Sequence, residues 1–324
     1  MQYIKTILLP IFLVFLFACH SPAGKENKAS VSALSPDYLL RDSFILKSLP
    51  ADHQKLLGVT GNFRSCKTYL DKLSNDSLTS IPFALDYITT CIPPGNADRD
   101  SIFLLFNAKF YAVTTKLSDS LYTKYNFLVD QLNKDSSSVE LKCFQSNLTA
   151  CGIKFLLSEG TYYLDAMSDF LYNNFKDRVS DGVKEYLSIR KDELKQGFSE
   201  DAGLLISFED VYKRVKRWEV FIKNYPNTVC AEEANSYYIT YLETLIAGMD
   251  NSRLFDFNSN SLLPEIKTLY EKIMKEETAS PATKIISSYY SLLSRHNFKY
   301  NDSVDMFLKA NDLSTMLAVQ PQTR

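Results

Sequence analysis

Apolar side chains recur at three- and four-residue steps along most of this chain, which is the spacing of one face of an α-helix. The clearest case is residues 207–225, where Phe208, Val211, Trp218 and Phe221 fall on one side of the helix. Lysines and arginines fall mainly on the opposite side. The pattern predicts an amphipathic helix that buries its tryptophan.

The ends of this helix are also marked in the sequence. Ser207 is a natural N-cap, because its hydroxyl can accept a hydrogen bond from an otherwise unpaired amide of the first turn. Pro226 ends the helix, since the residue before a proline is pushed out of the helical region. A second helix is predicted from about Thr228 to Gly248, a glycine suited to a C-cap. The short connection favours two antiparallel helices.

A second, similar pair of helices follows. Trp218 and Tyr270 begin two similar six-residue runs that are 52 positions apart, and Tyr237 and Tyr289 each follow a serine and precede a tyrosine at the same shift. Helical hairpins of this kind stack because one hairpin alone cannot bury its apolar face. A true repeat and a chance convergence of two amphipathic hairpins both remain open at this point.

The segment from Trp218 to Leu245 resembles the hairpins of bacterial tetratricopeptide-like proteins. It has an aromatic helix that ends in Tyr225-Pro226-Asn227, followed by a helix carrying Ala231 and Ala234. No 34-residue period runs through the rest of the chain. The resemblance implies an all-α fold of antiparallel helical hairpins, stacked into a bundle or a short α-solenoid.

Outside this region the apolar spacing also predicts helices, and no alternating run is long enough to predict a strand. The further predicted helices are 62–73, 78–91, 98–117, 119–132, 137–157, 162–175, 181–195, 262–277 and 282–295.

The first nineteen residues have the pattern of an export signal. Lys5 precedes an apolar run from Ile7 to Ala18, which is shorter than the ~20 residues needed to span a bilayer. Leu16-Phe17-Ala18-Cys19 resembles the lipobox of bacterial lipoproteins, although Phe17 stands where that family usually has a small residue. The resemblance implies that the thiol of Cys19 receives a diacylglyceryl group and becomes the first mature residue. An ordinary signal peptide and an uncleaved anchor are the alternatives.

These patterns divide the chain into segments and suggest its location. We expect a bacterial cell-envelope protein that the lipid on Cys19 anchors to a membrane, on either the periplasmic or the surface side. The predicted segments are a signal peptide at 1–18, the lipidated cysteine and a polar tether at 19–35, an N-terminal helical region at 36–135, a helical-hairpin region at 136–315, and a disordered tail at 316–324.

The amino-acid composition limits the kinds of binding partner that we expect. Hydrophobic residues make up 45% of the chain, enough for a sizeable core, and the formal charge of −2 argues against a nucleic-acid partner, which would favour a basic surface. The 21 phenylalanines and 20 tyrosines either pack between helices or line a ligand groove. A protein, a peptide or a glycan is the expected kind of partner.

Cysteines and histidines give little sign of a cofactor or metal site. Five cysteines follow Cys19, so at least one thiol cannot pair within the chain. Cys66 and Cys91 could form a disulfide, whereas Cys143 and Cys151 lie eight residues apart on one predicted helix, too far for a disulfide. No Cys-x-x-Cys sequence is present and the three histidines are scattered, so we expect neither a metal nor a cofactor.

The remaining candidates for chemistry are the carboxylates Glu159, Asp165 and Asp169. Asp165 and Asp169 are predicted to share a helix face, and the glycine after Glu159 would permit close backbone approach at a helix start. Such carboxylates can act as general acid and base or hold a metal, but they are also typical of a solvated helix face. Two function classes follow: a non-enzymatic binding or scaffold lipoprotein, and a hydrolase-like or metal-binding enzyme with an acidic site near Glu159.

Overall fold

The computed structural model describes residues 60–134, 139–276, 279–311 and 313. The predicted signal peptide, Cys19, the tether and the C-terminal tail lie outside these residues. Within them the chain is mostly helical, with two small β-hairpins. The helices are α1 (Phe63–Lys72), α2 (Ser80–Cys91), α3 (Arg99–Ser120), α4 (Asn126–Asn133), α5 (Val139–Ala150), α6 (Phe170–Phe175), α7 (Asp181–Gln196), α8 (Phe208–Asn224), α9 (Ala231–Ala247), α10 (Pro264–Glu276), α11 (Pro281–Arg295) and α12 (Asp302–Ala310).

The prediction of helices at 137–157 and 162–175 is wrong in its central part. Helix α5 ends at Ala150, and the chain then forms the antiparallel strands β1 (Ile153–Ser158) and β2 (Thr161–Ala166) before the short helix α6. A second, much smaller hairpin of β3 (Ser199–Glu200) and β4 (Gly203–Leu204) lies in the predicted connector before α8. The fold is therefore helical with two β-hairpins, and not strictly all-α.

The turn between β1 and β2 explains why this segment is not a helix. Glu159 and Gly160 connect the paired residues Ser158 and Thr161, and both turn residues have positive φ, 49° and 75°. A two-residue hairpin turn with positive φ at both positions matches the twist of the flanking strands. The glycine that was predicted to begin a helix instead closes a hairpin.

Gly152 sets the start of the same hairpin. Its φ is +73°, and a β-carbon built there would lie 2.0 Å from the ring of Phe170. The absence of a side chain lets Phe170 approach the backbone, where its ring also stacks on Phe110 of α3. The hairpin is thereby held against α3, with further contacts between α3 and β2.

The predicted hairpin around Trp218 is confirmed. Helices α8 and α9 pack on each other along their length. Ser207 caps α8 by accepting a hydrogen bond from the amide of Asp210 at 3.1 Å, and α9 ends at Gly248 with φ 78°. Trp218 is fully buried and Phe221 is 2% exposed, as the apolar spacing requires.

Helices α10 and α11 form the next hairpin and pack against the first one. Tyr270 of α10 donates a 2.7 Å hydrogen bond to the carbonyl of Leu245 in α9. Glu219 of α8 accepts one from the amide of Ala282 at the start of α11, at 3.0 Å. These two bonds join the hairpins in addition to their apolar contacts.

Burial in the two hairpins agrees in part at the 52-residue shift. Trp218 and Tyr270 are both fully buried, whereas Leu242 is buried and Ser294, at the same shift, is exposed. The other buried pairs are Phe221 with Ile273, Ala234 with Ile286, and Tyr241 with Leu293.

The hydrophobic core runs through the whole described body, from Cys66 in α1 to Leu313 after α12. Its largest fully buried side chains include Trp218, Tyr270 and three phenylalanines of α3. In the ranges the structure describes, no helix combines the length and the apolar character that crossing a bilayer would need.

Candidate functional site

A cleft lined by four tyrosines lies between α3, the connection from β2 to α6, and helices α7 and α9. Side chains fill most of it, and the cavity that they leave has a volume of about 30 Å³. We call it the tyrosine cleft. Its principal residues are Tyr111, Tyr172, Tyr186, Arg190, Glu233 and Tyr237.

Arg190 is held rigidly in the wall of the cleft. Its Nη1 lies 2.7 Å from Oε2 of Glu193, and its guanidinium carbon lies 3.9 Å from the centre of the Tyr237 ring. Trp218 stacks on the same tyrosine, with ring centres 5.2 Å apart. A guanidinium stacked on an aromatic ring and tied to a carboxylate has little freedom left, so its remaining donors are pre-organised.

Lys191, the next residue of α7, also lines the cleft. Its Nζ lies 4.3 Å above the centre of the Tyr172 ring, and Lys176 lies 5.7 Å from the same centre. Among the described residues no carboxylate forms an ion pair with Lys191. The cleft therefore contains one cation whose charge is balanced only by an aromatic ring and solvent.

Asn107, which lines the cleft, carries an unsatisfied acceptor. Oδ1 of Asn107, on α3, is buried and has no hydrogen-bond partner among the described residues. A buried acceptor without a partner costs ~1–3 kcal/mol. Leu171, Leu187 and Leu194 line the cleft beside it, so the site combines an apolar wall with a group that needs a donor.

Behind the cleft lies a buried polar cluster around Glu193, which is 5% exposed. Its Oε1 accepts a 2.7 Å hydrogen bond from Trp218 Nε1, and its Oε2 accepts from Tyr241 at 3.0 Å as well as from Arg190. Arg214 donates to the Tyr241 hydroxyl at 3.2 Å. This Glu193 cluster joins α7, α8 and α9, and through Arg190 it fixes one wall of the cleft.

Burial and nearby charge shift the acidity of the cleft tyrosines. The pKa of Tyr111 is raised mainly by burial; Arg190 opposes the shift, and Asp165 and Glu233 add to it. Burial also raises the pKa of Tyr186, with Glu233 as the next cause. The hydroxyls of Tyr111 and Tyr186 therefore stay protonated at neutral pH and act as neutral hydrogen-bond donors and acceptors.

A second, open depression shares Tyr111 with the tyrosine cleft. It runs along the surface of α3 past Thr115 and Asp119, and its other side is formed by Asn75 and Asp76. The side chain of Tyr111 is 38% exposed between the two depressions. The two depressions are therefore adjacent at Tyr111, and together they present carboxylates, amides, hydroxyls and lysines; we call the pair the groove.

The three carboxylates predicted as site residues do not come together. Glu159 is exposed in the turn of the hairpin, and about 14 Å of strand lies between Thr161, just after the turn, and Asp165. Asp165 does not share a helix face with Asp169, because Asp165 lies in β2 whereas Asp169 precedes α6. Two of the three are near the cleft: the charge of Asp165 raises the pKa of Tyr111, and Asp169 follows Ser168, which lines the cleft.

The described cysteines form no catalytic or metal-binding group. Cys66, Cys151 and Cys230 are buried thiols that form no disulfide, so the disulfide considered between Cys66 and Cys91 is not formed. Burial raises the pKa of Cys66 to about 12, and Cys91 contributes to the shift. In the part of the chain that the structure describes, no three His, Cys, Asp or Glu side chains are grouped as metal ligands.

Sequence reasoning missed the tyrosine cleft, because its residues come from four separate segments between Asn107 and Tyr237. The only available signal was the excess of tyrosine, which fitted packing equally well. The arrangement offers aromatic surface, cations, a carboxylate and an unsatisfied amide, which are groups that bind and orient a ligand. Comparison with known proteins gives no match to a protein-family model, to a curated protein or to a solved structure.

Proposed function

We propose that this chain is a bacterial cell-envelope lipoprotein that acts as a non-enzymatic binding module, with the groove, including the tyrosine cleft, as the binding site. The ligand is a protein segment, a peptide or a glycan. The observation that carries the proposal is the convergence of four tyrosines with Arg190, Lys191, Glu233 and the unsatisfied Oδ1 of Asn107.

The shape and chemistry of the groove favour an extended ligand. The inner cleft is too narrow for a large rigid molecule, and the open depression adjoins it at Tyr111. A chain-like ligand can lie along α3 and insert one group between Arg190 and Asn107. Pre-organised donors and an exposed aromatic ring contribute binding free energy without the cost of ordering the site.

The anchor is supported by the sequence of residues 1–19. An apolar run that ends in Ala18-Cys19 and is followed by a small, polar segment suits a lipid-anchored domain on a tether. A chain held in this way meets its ligands at the membrane surface.

We propose further that α8–α11 are two tetratricopeptide-like units. Four pairs of positions buried at the 52-residue shift, together with the hydrogen bonds from Tyr270 and to Glu219, support two stacked copies of one unit. Stacked hairpins of this kind form extended binding surfaces.

Metabolic labelling with a fatty-acid analogue tests the anchor. We expect the label on the wild-type protein and its loss in Cys19→Ala. A wild-type chain that carries no lipid, or a labelled Cys19→Ala variant, would refute the lipoprotein assignment.

Ligand-observed NMR with short peptides and neutral oligosaccharides as probes tests the groove. We expect one probe class to bind the wild-type protein, with at least a tenfold loss of affinity in Tyr111→Ala. Tyr300→Ala is the matched control, because Tyr300 is 37% exposed and lies in a different part of the chain. Equal loss in both variants, or no binding by any probe, would count against the site.

The alternative acidic site is tested in the same assay. A double substitution of Glu159 and Asp165 should weaken binding of the probe less than Tyr111→Ala does, because neither residue lines the cleft, although the charge of Asp165 acts on Tyr111. If the wild-type protein turns over any probe and the double variant does not, the result would instead establish an enzyme.

A further inference from the structure

The β1–β2 hairpin has one covered edge and one open edge, which its hydrogen-bond directions reveal. The amide of Met167 donates to the carbonyl of Gly152 at 2.7 Å, so these two residues form a hydrogen-bonded pair. Pairing alternates along antiparallel strands. Residues 154, 156 and 158 therefore bond to β2, and the amides and carbonyls of residues 153, 155 and 157 point away from it.

Side chains of α3 and of the turn that follows it accept hydrogen bonds from the outer edge of β2. The amide of Leu164 donates to Ser118 Oγ at 3.0 Å, and the amide of Tyr162 donates to the hydroxyl of Tyr122. Side chains of a helix thus occupy the edge at which another strand would pair.

Among the described residues, no side chain bonds to the outer edge of β1 in this way; α5 packs beside the strand, with the ring centre of Phe144 5.5 Å from that of Phe155. No described residue bonds to the outward amides or carbonyls of Phe155 and Leu157. Leu157 is 53% exposed, and β1 contains no proline and only one charged residue, Lys154. A strand edge with open donors, open acceptors and exposed apolar side chains is a template for pairing with another strand.

The sequence of the hairpin is complementary to itself in one antiparallel register. In this register Phe155 of each copy pairs with Leu157 of the other, and Leu156 lies opposite Leu156. The pairing uses all four open groups of each chain, which are the amides and carbonyls of Phe155 and Leu157. The same register places Lys154 opposite Ser158 of the second copy, next to Glu159. Lys154 of each copy is thus one position from Glu159 of the other, which favours association at long range although adjacent positions face opposite sides of the sheet. No like charges face each other directly.

We propose that this edge of β1 is a homodimer interface, at which two copies of the chain pair β1 to β1 and form a four-stranded antiparallel sheet. The contact is small, so the dimer is weak in solution. Attachment of both chains to one membrane would raise their effective concentration and favour pairing. The interface is distinct from the tyrosine cleft and does not depend on the cleft having a ligand.

Sedimentation equilibrium of the purified full chain, from about 10 μM to about 1 mM, tests the association. We expect a reversible monomer–dimer equilibrium in the wild-type protein. Leu157→Pro removes an amide that points away from β2, so it should abolish the dimer and leave the circular dichroism spectrum unchanged. Leu157→Ala keeps the amide and is the matched variant; it should retain dimerisation, with at most a severalfold weaker association.

Disulfide trapping tests the register. Under mild oxidation with oxidised glutathione, Leu156→Cys should form a covalent dimer, since residues opposite each other in a non-hydrogen-bonded pair lie within disulfide range. Leu205→Cys is the control, because Leu205 is 56% exposed and outside the hairpin. A wild-type chain that stays monomeric at every concentration, or cross-linking that is equal in the two cysteine variants, would overturn the proposal.

Discussion

The Glu193 cluster and the tyrosine cleft are neighbours that share Arg190, yet they differ in whether their main hydrogen-bond acceptor is satisfied. In the cluster, both carboxylate oxygens of Glu193 accept short hydrogen bonds from groups on α7, α8 and α9. In the cleft, Asn107 Oδ1 has no partner. Nε of Arg214, at the edge of the cluster, also lacks a partner, so the difference lies in the central acceptors. Glu193 is fully bonded and stabilises the fold, whereas Asn107 keeps an acceptor that a ligand can use.

The largest expected effect comes from removing the charge of Glu193. Glu193→Gln leaves Arg190 without its counter-charge in a buried site, and breaking a buried pair costs about 3 kcal/mol of unfolding free energy. Urea unfolding followed by tryptophan fluorescence measures the loss.

The adjacent residue supplies the control for this substitution. Asp192 forms an ion pair with Arg217 at the surface, where it is 51% exposed, and Asp192→Asn should cost less than about 0.5 kcal/mol. If the two variants lose equal stability, the Glu193 cluster is not a buried structural network and the comparison fails.

The second effect is a loss of stability at high pH. Burial, followed by the charge of Glu193, raises the pKa of Tyr241 to about 12, above the ordinary value of about 10. The folded state thus favours the neutral phenol. This preference contributes roughly 2 kcal/mol to the free energy of unfolding below pH 10, and the contribution is lost as the pH rises towards 12.

Urea unfolding between pH 8 and pH 11.5 isolates this contribution when Tyr241→Phe is compared with the wild-type protein. Phenylalanine does not titrate, so the variant should lose less stability over the same pH interval. Parallel curves for the two proteins would show that Tyr241 is not responsible for the alkaline loss.

The smallest effect has the opposite sign. Asn107→Leu removes an unsatisfied buried acceptor from the cleft and should leave stability unchanged or raise it by up to about 1 kcal/mol. Thermal unfolding measures the change. A loss comparable to that of Glu193→Gln would mean that Asn107 is a structural residue, and the contrast between cleft and cluster would disappear.

The sequence predicts the helical hairpins well, because each signal there acts locally. Ser207 caps the helix that follows it, Pro226 ends it, and Trp218 lies on the buried face that its spacing indicates. The β1–β2 hairpin was missed because its residues do not alternate in polarity. Leu156 and Tyr163 are apolar or aromatic on the more exposed face, so the run resembles part of a helix.

A local signal for the hairpin was nevertheless present. Glu159-Gly160 lies between two short runs rich in aromatic and aliphatic residues, which is typical of a two-residue turn. The tyrosine cleft had no equivalent signal, since Asn107 and Tyr237 become neighbours only after several helices have packed. Asp165 and Asp169 were chosen as candidates because they would share a face of a predicted helix. Asp165 lies in β2 instead, so that reason no longer holds.

The bond between Glu219 and the first turn of α11 limits how the chain can be shortened. A protein ending before α10 would expose the apolar side of α8 and α9, and it would leave Glu219 and the carbonyl of Leu245 without the donors they have in the full chain. The last three helices therefore cover the apolar side of the preceding pair. Genetic removal of this end should produce an insoluble or degraded product, and a smaller soluble version is not expected.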